Sequence, residues 1–159
     1  MKVKQATAYE LHALMYMVRH ITQLPVTAGS IAKAEGIPSG YLAKIFQRLV
    51  KANIVKASRG SKKGYIFTRP PEEINLLELF EAIEGGGLFD DCFMKHCECN
   101  GTPENCYIYA CWLKATKRLS TLLAETSLVT AAWNHPDHRF YELADLSEAP
   151  NSQPRAAKS

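Results

Sequence analysis

The sequence is as informative for what it lacks as for what it holds. No apolar run in its 159 residues approaches the ~20 residues of a membrane-spanning helix. The opening stretch, Met1-Lys2-Val3-Lys4-Gln5, has no apolar core of the kind a secretory signal needs. A cytosolic protein is therefore expected, in a compartment where thiols stay reduced. There is no Cys-x-x-Cys pair, and a zinc ribbon needs two of them. No Ser/His/Asp or dinucleotide-binding motif argues for an enzyme. Charge of one sign is scarce too: the net charge is only +3. That is too small to imply nucleic acid by itself, so the location of the charges has to carry the argument. An even cysteine count is also missing. Five thiols disfavour a closed disulfide framework.

All five lie in one stretch, spaced Cys92-x4-Cys97-x-Cys99-x6-Cys106-x4-Cys111. Asn100, Gly101, Pro103 and Asn105 mark its middle as a loop. Clustered, reduced thiols serve as metal ligands or redox groups, and tetrahedral thiolate sites take zinc or iron–sulfur clusters. Wide spacing lets a chain wrap a large cluster rather than clip one ion. Cys111, beside Trp112 and inside a helical pattern, reads as a buried small hydrophobe. Cys92, Cys97, Cys99 and Cys106 remain. Cys97 and Cys99 are too close to ligate together without strain, so three thiolates plus one non-cysteine ligand is the expected set.

With 47% hydrophobic residues, the chain can bury a core around the segments before this loop. Leu11, Leu14, Met15, Val18 and Ile21 recur at helical spacing over residues 5–22. Pro25 ends that helix. Thr27 caps a short second helix, Ala28 to Glu35, and Gly36 supplies the left-handed residue after it. Ile37 and Pro38 open a third helix, with Pro near its first turn. Its apolar side holds Tyr41, Leu42, Ile45, Phe46, Leu49 and Val50. Two β-prone runs, Ile54–Ser58 and Tyr65–Thr68, flank a basic, glycine-bounded tip with Arg59, Lys62 and Lys63. Helix, glycine turn, helix, hairpin is a winged helix-turn-helix. The fold class is mostly α with a small β wing and a long dimerisation helix.

In that layout Ser39, Gly40, Tyr41 and Lys44 face the major groove of double-stranded DNA. Arg48 reaches a phosphate, and Arg59, Lys62 and Lys63 grip the backbone or minor groove. Asn75 caps a fourth helix, with Glu78 three residues on, packed by Leu76, Leu77, Leu79, Phe80 and Ile83. A long helix starts near Cys106. Ile108, Trp112, Ala115, Leu119, Leu122, Thr126 and Val129 form a near-heptad seam on it. Little chain remains to cover that seam, so a second copy is expected to, and a homodimer suits a palindromic operator. The expected organisation is a DNA-binding domain at 1–84, a cysteine-rich loop at 85–105, a dimerisation helix and C-terminal segment at 106–146, and a disordered tail at 147–159. His135-Pro136-Asp137-His138 carries metal-binding residue types but reads as a turn before a final short helix.

From residue 5 to about 130 the chain resembles the Rrf2 family of bacterial winged-helix regulators. Tyr9–Leu14, Ile37–Phe46, Arg59–Tyr65 and Cys106–Trp112 carry the resemblance. It implies a homodimeric transcription regulator, in some members a repressor, that senses iron, redox state or nitric oxide. The implied cofactor is a [2Fe-2S] or [4Fe-4S] cluster on three loop cysteines. The first matches Cys92 and the last Cys106. The middle one matches Cys99, which splits the interval evenly, with Cys97 as the alternative. One branch of the family has a histidine three residues after the third cysteine, where this chain has Tyr109. Another has an aspartate near the N-terminus, where it has Ala8. The fourth ligand is thus open among Glu10, His12, His96 and Cys97. Two rivals stand beside this reading: a thiol/disulfide switch without metal, and a cluster-bearing redox protein or electron carrier.

Overall fold

A computed structural model describes residues 5–59, 61–85, 89, 92 and 100–135. Cys97, Cys99, His96, part of the glycine run and the tail at 147–159 lie outside the described residues. Among the described residues, six α-helices and one hairpin follow in order: α1 (Gln5–Arg19), α2 (Ala28–Glu35), α3 (Ser39–Lys51), β1 (Val55–Ser58), β2 (Gly64–Phe67), α4 (Leu76–Glu84), α5 (Tyr107–Glu125) and α6 (Leu128–Asn134). The mostly helical fold with a small β wing is as the sequence implied.

Local chemistry explains the boundaries. The Thr27 side chain accepts from the Ser30 N–H at the start of α2, and Gly36 ends that helix at φ 67°, the left-handed region that costs glycine nothing. Asn75 accepts from the Glu78 N–H at the start of α4. Pro38 proves to be the residue before α3 rather than its first turn. The core centres on α1, which packs against α2, α3, α4 and α6. Leu14, Met17, Ile31, Leu42, Phe46, Leu49, Ile74, Leu79 and Leu128 are wholly buried within it.

Three parts of the sequence reading need correction. On α3, Leu42, Ile45, Phe46 and Leu49 are buried, but Tyr41 and Val50 are 52% and 41% exposed. The helix is narrowly amphipathic, and these two flank its buried stripe. Ile21, just past α1, is likewise exposed. The heptad seam does not run through Val129 on one helix. Thr126 turns extended, at φ −97° and ψ 115°, because its carbonyl accepts from the Leu76 N–H. Ser127 then bridges Asn75 and caps a separate helix, α6, through its hydroxyl. Leu128 and Ala132 of α6 enter the core against α1.

The wing is an antiparallel pair in the register Val55↔Phe67, Lys56↔Ile66, Ala57↔Tyr65 and Ser58↔Gly64. Val26 joins it as an isolated bridge to Tyr65. Gly64 makes this possible: a Cβ there would lie 2.6 Å from the Val26 carbonyl oxygen, at a φ of +152°. Any side chain would push the wing off the segment that leads into α2.

Candidate DNA-reading surface and cysteine segment

The α3 surface away from the core is polar and exposed. Ser39, Gly40, Tyr41, Lys44 and Arg48 all lie on it. The Tyr41 ring leans edge-on against Tyr9 at 5.7 Å, which steadies a half-exposed aromatic at the start of the helix. Phe46, on the buried side, stacks on Tyr65 of the wing at 4.2 Å. That contact fixes the helix and the hairpin relative to each other. Arg59, Lys62 and Lys63 are exposed at the wing tip. Arg59 and Lys63 share a cleft of about 690 Å³ with Thr27, Ala28 and Tyr65. Two cations and the start of α2, with its outward N–H groups, thus face one concavity, an arrangement that suits a phosphate.

Arg48 differs from the other basic residues. Its guanidinium donates to the Ile83 carbonyl at 3.5 Å in the last turn of α4. It also lies close enough to Glu10 to stabilise a charge there. Glu10, on α1, is 0% exposed, and among the described residues neither of its carboxyl oxygens has a hydrogen-bond partner. Burial pushes its pKa up to about 9, opposed by Arg48 and reinforced by Glu84. Glu84, the last residue of α4, accepts from the Thr7 hydroxyl. An acid from α1, a base from α3 and an acid at the end of α4 therefore sit together. Sequence reasoning picked out Glu10 only as a candidate fourth ligand, without its neighbours Arg48 and Glu84. A buried acid in an otherwise apolar helical stripe was the available signal.

The described part of the cysteine segment is its two ends. Cys92 and Cys106 are half-buried and Cys111 is exposed, and among the described residues no disulfide joins them. Cys106 is the residue before α5. The loop reaches it through a turn in which the Thr102 carbonyl accepts from the Cys106 N–H at 2.8 Å, and Asn105 Oδ1 accepts from the Thr102 N–H at 2.6 Å. The N-terminus of a helix favours negative charge, and a thiolate there is well placed to hold a cation. Cys111 is not the core residue the sequence suggested. It lines a shallow apolar cleft with Tyr107, Ile108, Trp112 and Ala115. This half of α5 stands clear of the core, with Tyr107 85% exposed. His12 lies on another side of α1 from Glu10, with Nδ1 3.3 Å from Glu35 Oε2.

A winged helix-turn-helix with a basic wing, followed by a thiol-bearing segment and a long helix, defines a DNA-binding transcription regulator. Residues 3–132 match the Rrf2 family, described as "Iron-dependent Transcriptional regulator". The chain is 26% identical over 157 residues to the HTH-type transcriptional regulator IscR of Xenorhabdus nematophila, covering 98% of this chain and 94% of that one. It is 26% identical over 149 residues to the putative HTH-type transcriptional regulator YwgB of Bacillus subtilis, covering 93% of this chain and 92% of that one. Among solved structures it resembles T. potens IscR, with a TM-score of 0.68 and 25% identity over 84% of this chain and 88% of that one. It also shares its fold with CymR, the global cysteine regulator of B. subtilis, at a TM-score of 0.70 and 20% identity over 86% and 99% of the two chains. The chain belongs to the Rrf2 family of transcriptional regulators. Its relatives are named as regulators, not enzymes. Among the described residues, no helix is long and apolar enough to cross a membrane.

Proposed function

We propose that the chain is a homodimeric regulator whose DNA binding answers to an iron–sulfur cluster, [2Fe-2S] or [4Fe-4S], and through it to iron, redox state or nitric oxide. The observation that carries this is the pair of half-buried thiols at the two ends of the loop, Cys92 and Cys106, the second at the N-terminus of α5. Soft thiolates at such a position suit iron–sulfur ligation. Cys92, Cys99 and Cys106 hold the cluster in this reading, with Cys97 as the alternative to Cys99. Glu10 is the favoured fourth ligand, because its buried oxygens are otherwise unused. His12 already faces Glu35, and His96 is a further candidate. The cluster supplies a centre that oxidants, nitric oxide or iron shortage alter. The chain's own residues do the rest: Glu84 and Arg48 join the entry to the loop with the reading helix, so a change at the loop is felt at α3.

The dimer rests on α5. Ile108 and Leu122 of the seam are about half exposed, Ala115 is exposed, and Trp112 and Leu119 are half-buried. A second copy of this helix covers them. Two reading heads then meet two half-sites of a palindromic operator.

Purification without oxygen, followed by an absorbance spectrum with iron and sulfide counts, tests the cluster. Visible charge-transfer bands and stoichiometric iron are expected. Cys92→Ala or Cys106→Ala abolishes both, and Cys111→Ala keeps them. A colourless, iron-free protein after reconstitution sinks the reading. It would favour a thiol switch, for which Cys111, exposed in the single chain, is a candidate sulfur. For the wing, Lys62→Ala together with Lys63→Ala lowers the slope of log K against log salt by up to about 2, roughly one for each phosphate that is no longer neutralised. An unchanged slope in a binding titration rules the wing out as a phosphate clamp.

A further inference from the structure

We propose that Gln47 reads an adenine in the major groove of the operator and so sets part of the sequence this regulator selects. The proposal rests on α3 being the helix that enters the groove. That helix, Ser39–Lys51, buries Leu42, Ile45, Phe46 and Leu49. A helix turns by about 100° per residue, so the direction opposite this stripe passes within roughly 30° of Gly40, Lys44, Gln47 and Lys51. All four are exposed. They follow one another at spacings of four, three and four residues, which makes them a single ridge along the outward side. Ser39, Tyr41, Ala43 and Arg48 stand off to its flanks.

The flanking aromatic and the flanking arginine are turned toward the protein itself. Tyr41 leans on Tyr9, and Arg48 donates to the Ile83 carbonyl. The four outward residues divide by chemistry. A Cβ on Gly40 would meet nothing within 4 Å among the described residues, so internal packing does not call for glycine there. The missing side chain instead lets the first turn of α3 come close to DNA. Lys44 and Lys51 offer donors and positive charge, which suit phosphate or guanine. Gln47 differs from the other three: its planar amide carries a donor and an acceptor side by side. That pair matches adenine, whose N6 donates and whose N7 accepts on the major-groove edge. Among the described residues, none hydrogen-bonds to the Gln47 amide, so both of its groups are available to a base.

The test is selection of binding sites from a random double-stranded DNA library. Full-length protein purified without oxygen is used, both as purified and after removal of iron. The wild type should enrich a motif with an adenine fixed in each half-site. Gln47→Ala should enrich the same motif with that position degenerate. Its preference for adenine there should fall about 5- to 150-fold, the worth of one bidentate pair. Gln47→Glu keeps only acceptors and should turn the preference toward cytosine, whose N4 donates. Both variants change an exposed side chain, so their thermal midpoints should match the wild type. An unchanged motif with Gln47→Ala overturns the proposal, because the amide then meets only water. A loss of affinity that is equal for all sequences also overturns it, since that is the mark of a phosphate contact. Lys44→Ala separates this failure from a broader one. If it too leaves motif and affinity untouched, or if the wild type enriches no motif, α3 is not the reading helix and that reading fails as well.

Discussion

Replacing Glu10 with glutamine should raise the stability of the cluster-free protein at pH 7 by on the order of 3 kcal/mol. The folded carboxyl holds its proton up to a pKa of about 9, against 4.5 for an ordinary glutamate. Below pH 4.5 both the folded and the unfolded chain are protonated there, and stability is at its full value. Between 4.5 and about 9 the unfolded chain gives up the proton while the folded chain keeps it. Stability therefore falls as pH rises through that window and levels off above it. At pH 7 the loss has run for roughly 2.5 pH units, at about 1.4 kcal/mol each. Glutamine has nearly the same shape and carries no proton to lose. Urea unfolding of reduced, iron-free protein at pH 5, 7 and 9 is the measurement. The wild type should weaken across the series relative to Glu10→Gln, with the two nearly equal at pH 5. Parallel pH profiles would show that Glu10 is not held neutral by burial. If Glu10 also ligates the cluster, reconstituted protein should lose this pH dependence, because the ligated carboxylate no longer takes up a proton.

Phe46→Ala should cost about 3–5 kcal/mol, the range for removing a fully buried phenyl ring. The ring is wholly buried and stacks on Tyr65, so its loss opens a cavity between the reading helix and the wing. The thermal midpoint of a chain this size should drop by roughly 6–20 °C. DNA affinity should fall as well, even at temperatures where the variant stays folded, because helix and hairpin no longer share a rigid contact. Phe46→Leu should recover most of the stability. A shift of under about 1 kcal/mol for Phe46→Ala would mean that the ring's site collapses without leaving a void.

Much of this fold was legible in the sequence because its boundaries are local events. Thr27, Gly36 and Asn75 act within a turn of where they stand, and capping chemistry fixes helix ends without reference to distant residues. The buried stripe of α3 was legible at its centre and misjudged at its edges. Periodicity locates the middle of a face, whereas neighbours decide how wide it is. The break at Thr126 was not legible. A seam reading Leu119, Leu122, Thr126, Val129 continues smoothly in one helix, and only the hydrogen bonds between Ile74–Leu76 and Thr126–Leu128 interrupt it. Cys111 was misplaced for a related reason: residues beside a tryptophan on a helix look like core unless one knows that the helix leaves the core. The candidate site divides in the same way. Cys92 and Cys106 stood out through residue type and spacing. The Glu10–Arg48–Glu84 grouping depends on elements far apart in the chain, and no spacing rule reaches it.

The stitch at Ile74–Leu76 and Thr126–Leu128 has a topological consequence. The Leu76 N–H reaches the Thr126 carbonyl, and the Leu128 N–H reaches the Ile74 carbonyl at 2.7 Å. The core helix α4, the thiol segment and α5 thus lie between two stretches of chain that are bonded side by side. The core is completed by α6 only after the chain has come back. Such a plan is a plug and socket. The part after α4 could be exchanged for one that answers a different signal, provided the chain returns to the same residues, and the core built on α1 would not need to be redesigned.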